Sequence, residues 1–413
     1  MLRGFLLILF GCGFVLSQNA QRLQQLESEA RQALAAHNVA DALTKFQELA
    51  KLSPETASFP DEIGFILAAT NRTAEAIPYF KRAVELDPTF AQAYYHLGVA
   101  LWLTSEIDPA VRALQKAAEL APDKGDYRFR LGSAYEETGH YADAIRELQT
   151  ASKRLQNNAA VWQTLASAYQ STGKLTEACD AFKRAVDLDP QNLDLRNSYG
   201  TALVNNRDPD AGLAQYKKVL EHDPGNLLAQ ANIGFAYIQK GEIEDAIKQL
   251  TAVTHEHPTL AVAHYDLGVA YKEKDDLKNA VMEFQRSIQL APDLTEAHYT
   301  LGITYWQSGN FEKTIEQMRT AVQQRPEYAQ AWYMLGVALK QKGDLDEAMD
   351  ALRKSIAIDG STSGPYNTLA LLLRQKGDSA GAKSAFAKAA EIKRAAEQKQ
   401  ANMLRLGPSH DLR

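Results

Sequence analysis

The sequence predicts an all-α solenoid of stacked antiparallel helix pairs, closed by a further capping helix at its C-terminal end. Three phased observations predict it. A motif of thirty-four residues recurs eleven times without insertion between Leu23 and Ala396, its units opening at Leu23, Ala57, Ala91, Gly125, Ala159, Leu193, Leu227, Ala261, Thr295, Ala329 and Ser363. The eighth residue of every unit is small: Gly64, Gly98, Gly132, Gly200, Gly234, Gly268, Gly302, Gly336, Ala30, Ala166 or Ala370. The twentieth is alanine except at Gly212 and Thr314, and the thirty-second is proline in eight units, Pro54, Pro88, Pro122, Pro190, Pro224, Pro258, Pro292 and Pro326.

Each element of a unit follows from these positions. In the eighth unit, Leu267, Val269, Ala270 and Tyr271, then Ala280, Val281, Phe284 and Ile288, recur at helical spacing, which predicts two amphipathic helices. Small residues at Gly268 and Ala280 allow close approach of the helix backbones, while Leu267, Tyr271 and Phe284 fill the space beside them. Between the helices, Gly139, Gly173, Gly241, Gly309, Gly343 and Gly377 suit a left-handed turn. The proline near the end of a unit cannot continue the second helix and suits the start of the next. A single unit cannot bury its apolar face, so the array is stable only as a stack.

Departures mark special units. Glu29 in the first unit stands where a large apolar residue is expected, which suits a terminal repeat facing water. The sixth unit combines Arg196, Tyr199, Gly212 and Val219 with the turn-rich run Asn205 to Pro209, and looser packing is expected there. Ordinary drift accounts for this, with a hinge between two halves of five units as the functional alternative. Pro78, inside a second helix, removes one hydrogen bond and is expected to bend it. At the C-terminus, the basic segment IKRAAEQKQANMLRLGPSHDLR predicts a helix to about Leu406 that caps the last unit over 397–413, ending in a frayed tail after Gly407. Met403, Leu404 and Leu406 could also dock a partner.

The spacing, with Trp162, Leu165, Tyr169, Ala178, Phe182, Ala185 and Pro190 in one unit, resembles the tetratricopeptide repeat, or TPR, over about nine-tenths of the chain. The resemblance implies a right-handed superhelix whose first helices line a concave groove for peptides or partner proteins, and positions two, five, nine, twelve and thirteen would face it. Carried over, these positions give Phe65, Tyr95, Trp102, Phe129, Phe235, Tyr265, Tyr299, Trp306 and Tyr333 as candidate partner-binding residues. Tyr265, Tyr299 and Tyr333 fall in three consecutive units and form the preferred site, since aromatic side chains dominate many interfaces. Tyrosine is also common at the fifth position of this family as packing. The Lys and Asn of a carboxylate-binding groove are replaced here by Tyr and Val, and an asparagine ladder is missing apart from Asn232.

Ahead of the repeats, residues 1–17 carry Arg3 and an apolar run from Gly4 to Leu16, which reads as a secretory signal cleaved after Ser17. Thirteen residues are short for a bilayer span, and an uncleaved anchor is the alternative. Leu9, Phe10, Gly11 and Cys12 resemble a lipoprotein box, although Phe10 is unusual and the apolar Gly13 to Leu16 fits poorly after the cysteine. The chain is thus expected to be exported, periplasmic or secreted, with membrane tethering only through such a lipid or anchor. Cleavage would leave Cys179 as the single thiol, with no intramolecular disulfide, and its place after Ala178 suits an inert, partly buried residue.

The 413 residues include 45 basic and 51 acidic side chains, a formal charge of −6 spread through the units, which opposes nucleic-acid binding. His255 and His257 flank Glu256 without a third metal ligand, His264 and His298 replace the aromatic at the fourth position, and acidic pairs such as Glu136 and Glu137 read as solvated. No phosphate loop, nucleophile elbow or zinc-ligand spacing occurs, so no enzyme activity, cofactor or metal is expected. The function expected is a non-catalytic scaffold that holds a peptide or helix of an envelope or secretion partner. The alternative is a carbohydrate-binding module in polysaccharide export or cell-wall assembly that stacks sugars on the groove aromatics.

Overall fold

The computed structural model describes residues 20–406. The leader at 1–17, with its lipoprotein box, and the tail from Gly407 lie outside the described residues, as do the side chains of Met403, Leu404 and Leu406. Two compact units divide the chain, Met1–Asn206 and Arg207–Arg413, and the boundary falls in the turn-rich run of the sixth repeat.

In the first unit the helices run α1 (20–35), α2 (Val39–Leu52), α3 (Ser58–Ala69), α4 (Thr73–Leu86), α5 (Ala91–Leu103), α6 (Ile107–Leu120), α7 (Gly125–Glu137), α8 (Tyr141–Arg154), α9 (Ala159–Ser171), α10 (Leu175–Leu188) and α11 (Leu193–Asn205). In the second they run α12 (Pro209–His222), α13 (Leu227–Lys240), α14 (Ile243–Glu256), α15 (Ala261–Glu273), α16 (Leu277–Leu290), α17 (Thr295–Gln307), α18 (Phe311–Gln324), α19 (Ala329–Lys342), α20 (Leu345–Ile358), α21 (Ser363–Gln375) and α22 (Ser379–Leu406). Within each unit a first helix packs antiparallel on the second helix of its own repeat, and that second helix packs on the first helix of the next. The described residues are all helix and turn.

Close packing inside a repeat comes from the eighth position. A Cβ added at Gly268 would lie 2.7 Å from the ring of Phe284, so α15 and α16 are as near as a missing side chain permits. Ala280 and Phe284 are fully buried beside it. The fifteenth position closes the turn. Gly139, Gly173, Gly241, Gly309, Gly343 and Gly377 all have positive φ, and so do His37, Asn71, Ser105, Arg207 and Asp275 at the same place in the other five repeats. Every turn is therefore left-handed there, whether or not glycine is present.

A second regularity joins neighbouring repeats. From the fourth repeat to the tenth, the side chain at position four donates to the carbonyl of position thirty-two of the repeat before. Arg128 donates to Pro122, Trp162 to Gln156, Arg196 to Pro190, Gln230 to Pro224, His264 to Pro258, His298 to Pro292 and Trp332 to Pro326, at 2.8–3.2 Å. Residues as different as Arg, Trp, Gln and His share one task because each carries an N–H at the right reach. His264 and His298 are buried, as expected of residues packed between helices, and their Nδ1 atoms lie 2.7 Å from the Glu283 carboxylate and 2.8 Å from Gln317.

The special positions resolve individually. Glu29 is partly exposed and paired with Lys45 at 3.2 Å. α4 continues through Pro78 to Leu86. In the sixth repeat Tyr216 and Val219 are fully buried, so its second helix is not loosely packed within its unit. Cys179 is buried. His255 is exposed and His257 half-exposed. Glu136, expected to be merely solvated, instead accepts a 2.6 Å hydrogen bond from Ser167 of the next repeat. α22 is a single helix that runs on past the last repeat to Leu406, and residues 393–399 along it are exposed.

Candidate functional site

Contacts between consecutive first helices define a continuous face in each unit. Arg31 reaches Glu62 at 3.4 Å, His96 stands 2.9 Å from Asp61, and Tyr265 lies within 3.3 Å of Thr300. Positions five and nine of one repeat thus border position six of the next. Among the described residues, five large apolar side chains are left exposed on first helices, Phe65, Leu103, Leu228, Val262 and Leu371, against three on second helices, Leu52, Met282 and Ile358. Unsatisfied apolar surface therefore gathers on the first-helix face.

In the second unit, Tyr265, Tyr299 and Tyr333 stand half-buried on α15, α17 and α19. Tyr265 packs on Phe284 with ring centroids 5.7 Å apart, and Tyr299 packs on Tyr328 at 4.9 Å. A pocket opens beside Tyr333, lined by Gln330, Asp359, Thr362, Gly364 and Pro365. A Cβ at position 364 would lie 3.1 Å from the Tyr333 hydroxyl, so glycine there leaves that hydroxyl room. Trp306 packs on Phe311 at 5.0 Å and Phe235 is half-buried on α13.

Sequence reasoning missed three members of this cluster. Tyr328 caps the start of α19, with the Arg325 guanidinium 5.1 Å from its ring centre. Arg325 pairs with Glu296 at 2.5 Å. Burial, helped by Tyr299 and Glu296, pushes the Tyr328 hydroxyl up to about 12. The Tyr299 and Tyr265 hydroxyls are also raised, chiefly by burial. All three tyrosines thus stay neutral hydroxyls, able to donate to and accept from a ligand. The signal for Tyr328 was an aromatic at position thirty-four, where Leu260 and Leu294 stand in the two repeats before.

In the first unit, Phe65 is half-exposed, whereas Tyr95, Trp102 and Phe129 are half-buried. Tyr95 stacks on Tyr127 at 4.5 Å, and His96 lies 5.3 Å from the Phe65 ring. The buried Asp61 carboxylate orients His96, a pairing across thirty-five residues that the repeat pattern did not announce. The nine predicted residues therefore form two groups, one in each unit, and each group packs partly on its own scaffold. Among the described residues no cluster of His, Cys, Asp or Glu is arranged to hold a metal ion, and no described helix is long and apolar enough to cross a membrane.

Helix pairs with a first-helix face of this kind define a helical-repeat interaction scaffold. The chain belongs to the tetratricopeptide repeat family. The family model described as the cytochrome c-type biogenesis protein H TPR domain matches residues 145–259. Tetratricopeptide repeat models match 299–362, 105–168, 261–294 and 364–395, and a TPR repeat model matches 64–105. No curated protein matches the chain. Among solved structures, the crystal structure of MamA is 31% identical over 39% of this chain and 94% of that one, with a TM-score of 0.36. MamA 41-end from Desulfovibrio magneticus RS-1 is 22% identical over 41% of this chain and 97% of that one, with a TM-score of 0.39. The crystal structure of yeast Tom70 is 13% identical over 92% of this chain and 94% of that one, and its TM-score of 0.50 reflects a shared fold. The chain is a TPR protein-interaction scaffold of a generally non-catalytic family.

Proposed function

We propose that this scaffold is exported and holds a peptide or helix of an envelope partner along its first-helix face, anchored by Tyr265, Tyr299 and Tyr333. The observation that carries the reading is the run of half-buried tyrosines on three consecutive first helices, with Val262 and Leu228 exposed next to them. Such rings present large area at little entropic cost, and their hydroxyls pair with backbone amides of a ligand. Export rests on the apolar run from Gly4 to Leu16. The match of residues 145–259 to a TPR domain of cytochrome c-type biogenesis supports an envelope setting and makes the cytochrome c biogenesis apparatus the first place to seek the partner.

The test is a crosslinked pull-down from envelope extract with the parent and with a variant carrying Tyr265→Ala, Tyr299→Ala and Tyr333→Ala that keeps its helical circular dichroism. A protein captured by the parent and lost in the variant is the expected result. Equal capture by both would remove the tyrosines from the interface. Capture abolished by glycosidase treatment would favour a glycan ligand instead.

A further inference from the structure

Position six of the first helix is where consecutive repeats answer one another with polar groups. In the second repeat it holds Glu62, paired with Arg31 of the repeat before, and in the third it holds His96, paired with Asp61. In the eighth repeat the same position holds Asp266, which is 7% exposed. No described residue hydrogen-bonds or ion-pairs with its carboxylate, and burial alone raises the carboxyl to about 7. The residues that stand in the places of Arg31 and Asp61 are Phe235 and Ala231 of α13, which offer neither a donor nor a cation. Partial desolvation of a carboxylate that has no counter-charge is costly, and the Asp266 oxygens, not being among the fully sealed polar atoms of the fold, remain open to an incoming group.

The location of this orphan is informative. Asp266 follows Tyr265 on α15, and its charge, with that of Glu296, helps raise the Tyr265 hydroxyl. Glu296 is answered by Arg325, whereas Asp266 is answered by nothing in the described residues. Leu228 and Val262, exposed on α13 and α15, offer apolar surface along which the methylene stem of a long side chain could lie.

We infer that Asp266 is the receptor for a basic side chain of the segment bound on this face, a lysine or arginine whose charged head enters between α13 and α15. The inference rests on the groove reading above and adds the chemistry of one anchor to it. A cation placed against the carboxylate supplies the counter-charge that the fold omits, and a buried pair of this kind discriminates strongly against neutral ligands.

The test uses a phage library of random dodecapeptides, selected in parallel on the full chain and on Asp266→Asn, which preserves side-chain shape and is first checked for helical signal. The parent is expected to yield sequences with lysine or arginine at a fixed spacing from apolar anchors, and the variant to keep the anchors and lose that basic preference. Replacing the basic residue of a selected peptide by citrulline should weaken binding to the parent by about tenfold and leave binding to Asp266→Asn unchanged. Anchors without a basic preference on the parent, or the same preference on both proteins, would overturn the inference and leave the groove reading standing. Failure of both selections to converge would overturn the groove reading itself.

Discussion

The indole nitrogen of Trp332 donates to the carbonyl of Pro326 at 2.8 Å, joining the first helix of the tenth repeat to the loop that ends the ninth. The proline terminates a helix, and its carbonyl faces a loop where backbone partners are scarce. Supplying the donor from position four solves that problem seven times in succession.

Removing one such donor should have a defined cost. Trp332→Phe keeps a ring that can still pack beneath Lys354, whose ammonium lies 4.2 Å from the indole centre, but it orphans the Pro326 carbonyl. We expect a loss of about 1 kcal/mol, read as a lower urea midpoint at unchanged helical signal. An unchanged midpoint would mean that water replaces the indole at no cost.

The turn at position fifteen allows the opposite experiment. Ser105 has φ +64°, a conformation that costs an L-residue about 1 kcal/mol or more, although glycine returns part of any gain through its freer unfolded chain. Ser105→Gly should therefore stabilise the protein by roughly 0.5 kcal/mol. The reverse change at Gly309, where nothing lies within 4 Å of an added Cβ, should cost about 1 kcal/mol through the dihedral alone. Thermal midpoints of Ser105→Gly and Gly309→Ser moving the same way would contradict this account.

These cases show how the sequence could be read and where reading stopped. Period, turn glycines and the small residue at position eight were legible because each is a backbone demand that few residue types meet, as at Gly268 against Phe284. The left-handed turn at Ser105 or Arg207 was hidden, since only phase and not residue type marks it. The tyrosines of the candidate site were legible as a periodic set, but Tyr328, Arg325 and Glu296 lie on different elements and meet only after stacking. Nothing in the repeat phase sets Asp266 apart from the other acidic residues, and its burial shows only in the fold.

Close packing at the eighth position gives a prediction in which two effects compete. Gly268→Ala gains helix propensity of up to about 1 kcal/mol, yet its Cβ would sit 2.7 Å from the Phe284 ring, which is fully buried and cannot swing away. Overpacking of this kind costs roughly 1–3 kcal/mol and should win. Adding Phe284→Ala removes the ring that the new Cβ would meet, so the double variant should be more stable than the sum of the single changes implies. Additive single effects, measured by urea unfolding, would show that the helices had simply moved apart.

Asp266 sets a pH dependence whose sign is unusual for a carboxylate. Its carboxyl is raised from 3.8 to about 7 in the folded protein by burial, so between these values the folded chain holds a proton that the unfolded chain has released. Stability therefore falls as pH rises through that interval and levels off above it, opposite to the effect of a salt-bridged acid. Asp266→Asn deletes the titration while keeping the shape. Relative to the parent, the variant should gain on the order of 2–4 kcal/mol between pH 4.5 and pH 7.5. Glu62, also raised by burial, contributes in the same direction but is common to both proteins and drops out of the difference. Urea midpoints of the two proteins at the two pH values check this, and parallel pH profiles would mean that Asp266 has found a partner in solution.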